Sequence, residues 1–116
     1  MLILIKTILK YITVDKTLLL KAIEDFEPYT KSQRNMLKIL VGLSVDNVAN
    51  ASCAFLMKNA NLSRPAIYLN LKKFEKEGFI TRVKKTGSKQ DSFQLNLEKL
   101  DYILQLYQNK KAMEND

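Results

Sequence analysis

The sequence predicts a mainly α fold carrying one small β-hairpin, and three observations predict it. Apolar residues recur at three- and four-residue intervals through much of the 116-residue chain, the spacing that gives a helix one apolar face. Between Phe55 and Phe79 two such stretches are separated only by a short turn around Asn61. Beyond Gly78 the spacing changes to alternation on both sides of Thr86-Gly87-Ser88, the pattern of two strands joined by a tight turn. A chain this short, with no linker rich in Ser, Pro or Gly, no repeat and no low-complexity tract, reads as one globular domain.

The first stretch, Met1 to Val14, is strongly apolar. A signal peptide needs an unbroken apolar run of about 7 to 15 residues and a small-residue cleavage site, and a spanning helix needs about 20 apolar residues; Lys6 and Lys10 interrupt this run. Lys6, Thr7, Lys10 and Thr13 recur at helical spacing and leave Leu2, Ile5, Ile8, Leu9 and Ile12 as a wide apolar face. The stretch therefore reads as a helix buried against a partner. Interfacial membrane binding is the alternative, but two lysines attract anionic lipid weakly.

Asp15 can cap a second helix, Lys16 to Glu27, which Pro28 ends. Its residues Leu18, Leu19, Leu20, Ala22, Ile23 and Phe26 cover more than one face, so burial on two sides is expected. Thr30 with Gln33 three residues on has the form of a capping box. Met36, Leu37, Ile39, Leu40 and Leu43 then carry helical periodicity, with Gly42 placed to terminate it.

A short helix from roughly Ala51 to Asn59 offers Ala54, Phe55 and Met57, with Leu62 beyond. Asn61 tolerates positive φ in a tight turn, and Ser63 can cap the helix that follows. Pro65 fits only the first turn of a helix, where its missing amide proton has no intrahelical partner, so the helix starts at Ser63 or Arg64. At about 100° per residue, Ile67, Leu71 and Phe74 share a core face, while Pro65, Leu69, Lys72, Lys73 and Lys76 lie on the other. Gly78 closes that helix. Ile80, Arg82 and Lys84 then alternate with Thr81, Val83 and Lys85, and Phe93, Leu95 and Leu97 alternate on the return strand. Asn96 can cap a last helix bearing Leu97, Leu100, Ile103, Leu104 and Tyr107, with Leu106 on that side, which fades into Lys110-Lys111.

Charge and composition narrow the function. Lys and Arg number 19 against 12 Asp and Glu, for a formal charge of +7. Between Lys58 and Gln90 the cations Lys58, Arg64, Lys72, Lys73, Lys76, Arg82, Lys84, Lys85 and Lys89 face only Glu75 and Glu77, and the remainder of the chain is neutral. Confinement of the excess to one third of the sequence is the footprint of a surface that meets a polyanion, with a solvated basic face as the plainer reading. With no His, one Cys and three Gly, the chain lacks an imidazole for acid or base work, a zinc quartet and a phosphate-cradling glycine loop. No enzyme activity, metal or cofactor is expected. The lone Cys53 makes no internal disulfide and suits a reducing cytoplasm. A small apolar packing role for Cys53 outweighs thiol sensing, because no cation neighbours it in the sequence.

The run from Phe55 to Ile80, FLMKNANLSRPAIYLNLKKFEKEGFI, resembles the core of a winged helix-turn-helix DNA-binding domain, and bacterial transcription regulators of the MarR-like type are the match. The resemblance spans about Thr30 to Leu97. Its most diagnostic part is Leu-Ser-Arg, then Ile67 and Leu71 four apart, closing on Glu-x-Gly-Phe-Ile. Met57 departs from the small Ala usual at the helix crossing, and Asn61 from the usual turn Gly. Leu69 stands where a polar reader is usual, so either it contacts a thymine methyl or the face is displaced by a residue.

The resemblance implies a recognition helix over about 63–77 in the major groove, with Ser63, Arg64, Pro65, Tyr68, Leu69, Lys72 and Lys73 meeting bases or phosphate rims. It implies a wing over about 81–97 that brings Arg82, Lys84, Lys85 and Lys89 near the adjacent minor groove. Tyr68 can equally pack beside the wing. Residues 1–29 and 98–116 are then dimerisation or packing helices flanking residues 30–97, since two copies pair through interleaved terminal helices in such regulators; packing of those helices within one monomer is the alternative. The expected partner is double-stranded DNA, recognised in sequence by a cytoplasmic homodimeric regulator. A winged-helix protein-interaction module and a plasmid or phage replication initiator are the other readings. An effector pocket, lined by ordinary apolar residues, leaves no mark in a sequence.

Overall fold

Five helices and three strands follow one another in the computed structural model, which describes residues 16–83 and 90–114. They are α1 (Lys16–Glu24), α2 (Lys31–Leu43), β1 (Val48–Ala51), α3 (Cys53–Ala60), α4 (Arg64–Lys76), β2 (Ile80–Val83), β3 (Asp91–Leu95) and α5 (Leu97–Glu114). The expected apolar helix over residues 2–14 lies outside the described residues. Among the described residues no helix is long and apolar enough to cross a membrane.

The caps fall where the side chains dictate. The Thr30 hydroxyl accepts from Gln33 N at 3.2 Å and the Gln33 side chain accepts from Thr30 N at 2.9 Å, completing the capping box. α1 stops at Glu24, three residues before the expected Glu27. Phe26 N donates to Ile23 O in a tighter turn, and Pro28 disfavours helical geometry at the residue before it. The expectation that Gly42 ends α2 is corrected: the helix runs through it to Leu43, and Ser44 N and Oγ both turn back to Val41 O. Lys16 Nζ donates to Ser44 O at 2.6 Å, a cation placed on carbonyls at a helix C-terminus.

β1 is absent from the expectations. The sheet has the order β1-β3-β2 and is antiparallel throughout, with Ala49 opposite Phe93 and Arg82 also opposite Phe93. β1 is reached through a two-residue turn in which Asp46 and Asn47 have φ of 51° and 66°, while Val45 and Val48 exchange both backbone hydrogen bonds. Two successive positive φ values are what a type I′ turn requires, and Asp and Asn tolerate them. Leu97 opens α5 and does not extend the return strand.

α1 packs on α2 and on α5, and α2 carries α3 and β1. The core collects Ile23, Met36, Leu37, Leu40, Leu56, Ile67, Phe74, Phe93, Leu100 and Ile103, each at most 1% exposed. α3 departs from expectation: Leu56 is its buried residue, Met57 packs partly against the core, and Ala54 and Phe55 face outward. The half-buried Cys53 also packs against the core. Tyr29 is stacked on Phe74 at 5.5 Å and meets Phe26 and Phe79 edge-on at 5.0 and 5.7 Å, joining the α1–α2 turn to the end of α4.

Candidate nucleic-acid interface

α4 is positioned at both ends by local chemistry. α3 ends on Asn61, whose φ of 54° is left-handed, and Leu62 N donates to Met57 O at 3.2 Å. Ser63 then caps α4, its hydroxyl accepting from Ala66 N at 3.3 Å, with Pro65 in the first turn. At the far end Gly78 takes a φ of 82°. Gly78 N donates to Glu75 O and Phe79 N to Phe74 O at 2.9 Å, the paired bonds of a Schellman closure with Phe79 packed back on Phe74. Ile67, Leu71 and Phe74 are buried as the face count requires. At roughly 1.5 to 3 kcal/mol per large apolar side chain, they fix which side of α4 looks outward.

The outward side gathers Ser63, Arg64, Pro65, Leu69, Lys72 and Lys76, all exposed, with Tyr68 beside them at 40% exposure. Leu69 is 69% exposed, so the face is not displaced by a residue. Lys73, expected beside Lys72, turns to the flank. Its ammonium lies 3.5 Å from Glu77 and 5.5 Å from the Tyr29 ring centroid. The cause is tertiary, since Tyr29 presents a ring and Glu77 a carboxylate at the end of that turn.

The wing reaches α4 through Arg82. Its guanidinium lies 5.8 Å from the Tyr68 ring centroid and donates to Asp91 Oδ2 at 2.6 Å. Tyr68 thus packs beside the wing, and the charge of Arg82 is matched by a carboxylate. The expected wing residues Lys84, Lys85 and Lys89 lie outside the described residues.

Sequence reasoning did not single out α2 for this surface. Lys31, Arg34, Asn35 and Lys38 line an open groove of about 690 Å³ whose other wall is Ala60, Asn61 and Leu62, directly before Ser63. Arg34 Nη1 donates to Glu24 O at 2.9 Å and Lys38 lies 3.7 Å from the Glu24 carboxylate. The signal is present in the sequence, because positions 31, 34 and 38 share one helical face.

α5 packs on α1 of the same chain, with Leu100 and Ile103 buried. Lys110 donates to Asp25 Oδ2 at 3.2 Å and Glu27 Oε1 at 3.3 Å, and these hydrogen bonds raise its pKa above the ordinary lysine value. Tyr102, Leu106 and Met113, close to one another around the helix, stay exposed.

No family model matches the chain, and no curated protein matches it. Two solved structures are similar. NadR in complex with 4-hydroxyphenylacetate is 18% identical and covers 83% of this chain and 68% of its own, with a TM-score of 0.49. The transcriptional regulator BldR from Sulfolobus solfataricus is 15% identical and covers 95% of this chain and 80% of its own, with a TM-score of 0.48. The order of α2, β1, α3, α4 and the β2–β3 hairpin, with α4 set between a tight turn and a wing, makes this chain a winged helix-turn-helix, the architecture its sequence resembles.

Proposed function

We propose that this chain is a sequence-specific double-stranded DNA-binding protein and transcription regulator, with α4 in the major groove and the wing at the neighbouring backbone or minor groove. The observation that carries the reading is the outward side of α4. A capped helix N-terminus with Ser63 and Arg64 at its start is exposed, as are Lys72 and Lys76 on the outward side further along. Free amides and the partial positive charge of a helix start suit a phosphate, and an arginine can fork onto guanine or clamp the backbone. Lys31 and Lys38, in the groove beside the turn, extend the basic surface towards a second phosphate run, and Lys84, Lys85 and Lys89 supply the wing's contacts.

The reading includes a homodimer with residues 1–29 and 98–116 as its helices and residues 30–97 as its reader. Exposed Tyr102, Leu106 and Met113 support an apolar contact there, and two readers one helical turn apart suit a two-fold site.

The test is affinity for a random labelled duplex at about 50 and 200 mM salt, where six or more phosphate contacts give at least about a thousandfold loss. A steep fall is expected. Absence of binding at the lower salt overturns the reading and turns the search to a protein partner.

A further inference from the structure

The first half of the outermost line of α4, Pro65 and Leu69, carries no hydrogen-bond donor. Leu69 stands two residues from Ile67 and two from Leu71, both buried, and so about 200° round the helix from each. At 69% exposed it contributes nothing to the core. One turn earlier on the same line is Pro65, also exposed, which has neither a side-chain polar group nor a backbone N–H. Beyond Leu69 the same side carries Lys72 and Lys76, and Arg64 is exposed at the helix start, about 140° round from Leu69. Three of the polar side chains around this line have partners of their own. Tyr68 lies over the Arg82 guanidinium, Arg82 is ion-paired to Asp91, and Lys73 is held by Glu77 and the Tyr29 ring.

The Pro65–Leu69 stretch has nothing to offer the donors and acceptors of a base edge. The major groove does present one apolar group, the C5 methyl of thymine, and a branched aliphatic side chain is suited to it. We propose that Leu69 is a thymine-methyl reader, with Pro65 walling the contact, so that part of the protein's sequence preference is set by C5 methyl groups. The inference rests on the DNA-binding reading and names what that site recognises. The flanking cations hold the helix on the phosphates, and the aliphatic crest discriminates. Arg64 remains free to contact a guanine at the helix start.

The experiment uses the full chain and duplexes selected from a randomised pool. Each thymine of a selected duplex is replaced in turn by deoxyuridine, which removes the methyl and keeps every hydrogen-bonding group. At one thymine per half-site the substitution is expected to weaken binding about fourfold, the equivalent of one buried methyl. Leu69→Ala, an exposed change to the best helix former, should bind the thymine and uracil duplexes equally, and Leu69→Met should keep the discrimination. Comparing the variants on both duplexes separates the methyl contact from any change in DNA stiffness caused by uracil. Indifference to every replacement, while the selected duplex is still bound, overturns this inference and leaves the DNA-binding reading standing. Discrimination that persists in Leu69→Ala overturns it too, because another side chain then reads the methyl. If no duplex is bound at low salt, both fall.

Discussion

The hydroxyl of Tyr29 donates to Oε1 of Glu77 at 3.1 Å, tying the turn after α1 to the residue that caps the C-terminal end of α4. Burial raises the Tyr29 pKa far above its ordinary 10.0, and the hydrogen bond and charge of Glu77 add to the rise. The folded chain therefore holds this proton more tightly than the unfolded one. Stability drawn from it is full below about pH 10 and is lost as pH rises above that value. Tyr29→Phe should cost about 1 kcal/mol at neutral pH, the net worth of one hydrogen bond. The variant's stability should fall less than the wild type's between about pH 9 and 11, as measured by urea unfolding.

Asp91 neutralises Arg82 at the base of the wing. Asp91→Asn should raise affinity for a random duplex and steepen its salt dependence by about 0.9, one further phosphate contact. The stability cost should stay below about 1 kcal/mol, because both partners are partly exposed. Filter binding across a salt series checks the slope. An unchanged slope would mean that the Tyr68 ring alone keeps the guanidinium from the DNA.

Arg64 and the wing lysines should separate by their response to sequence. Arg64→Ala should weaken a selected site by about 1 to 3 kcal/mol while barely changing random-duplex binding. Lys84→Ala with Lys85→Ala should weaken both alike and lower the salt slope by about 0.9 for each phosphate that the two lysines neutralise.

Gly42 lies inside α2, exposed, and a Cβ there would meet nothing within 4 Å. Gly42→Ala should therefore stabilise the fold by about 0.5 to 1 kcal/mol through helix propensity and a less free unfolded chain. Thermal unfolding checks it, and a fall in stability would show that the glycine is needed for the turn into Ser44.

The proposed homodimer can be tested on the exposed side of α5. Tyr102→Glu with Met113→Glu places charge where intrachain packing is least disturbed, since these residues are 54% and 77% exposed. Sedimentation should show a dimer for the wild type and a folded monomer for the variant, whose affinity for a two-fold DNA site falls by orders of magnitude while half-site binding survives.

Local chemistry was legible in the sequence, and tertiary capture was not. The start of α4 could be placed because Pro65 tolerates one position and Ser63 has one use there. Its end could be placed because Gly78 alone takes left-handed geometry without cost. β1 was not legible: Val-Ala-Asn-Ala alternates too weakly to announce a strand, and its partner Phe93 lies far along the chain. The flank position of Lys73 depends on Tyr29, and the engagement of Arg82 depends on a β2–β3 register that puts Asp91 diagonally across from it. Lys31, Arg34 and Lys38 share a visible spacing, yet a basic helical face reads as solvated until Asn61 and Leu62 are known to be its other wall.

β1 also has a mechanical consequence. One end of it runs directly into Ser52, the cap of α3, and its edge is hydrogen-bonded to β3, the return strand of the wing. Spreading or closing the wing would break a ladder whose far end begins the helix-turn-helix. The sheet therefore holds the wing at a fixed spacing from α3 and α4. On the DNA-binding reading, the adjustment falls to the duplex: sequences that bend or narrow cheaply to match that spacing are accepted, and stiff ones are penalised at base pairs the protein never touches.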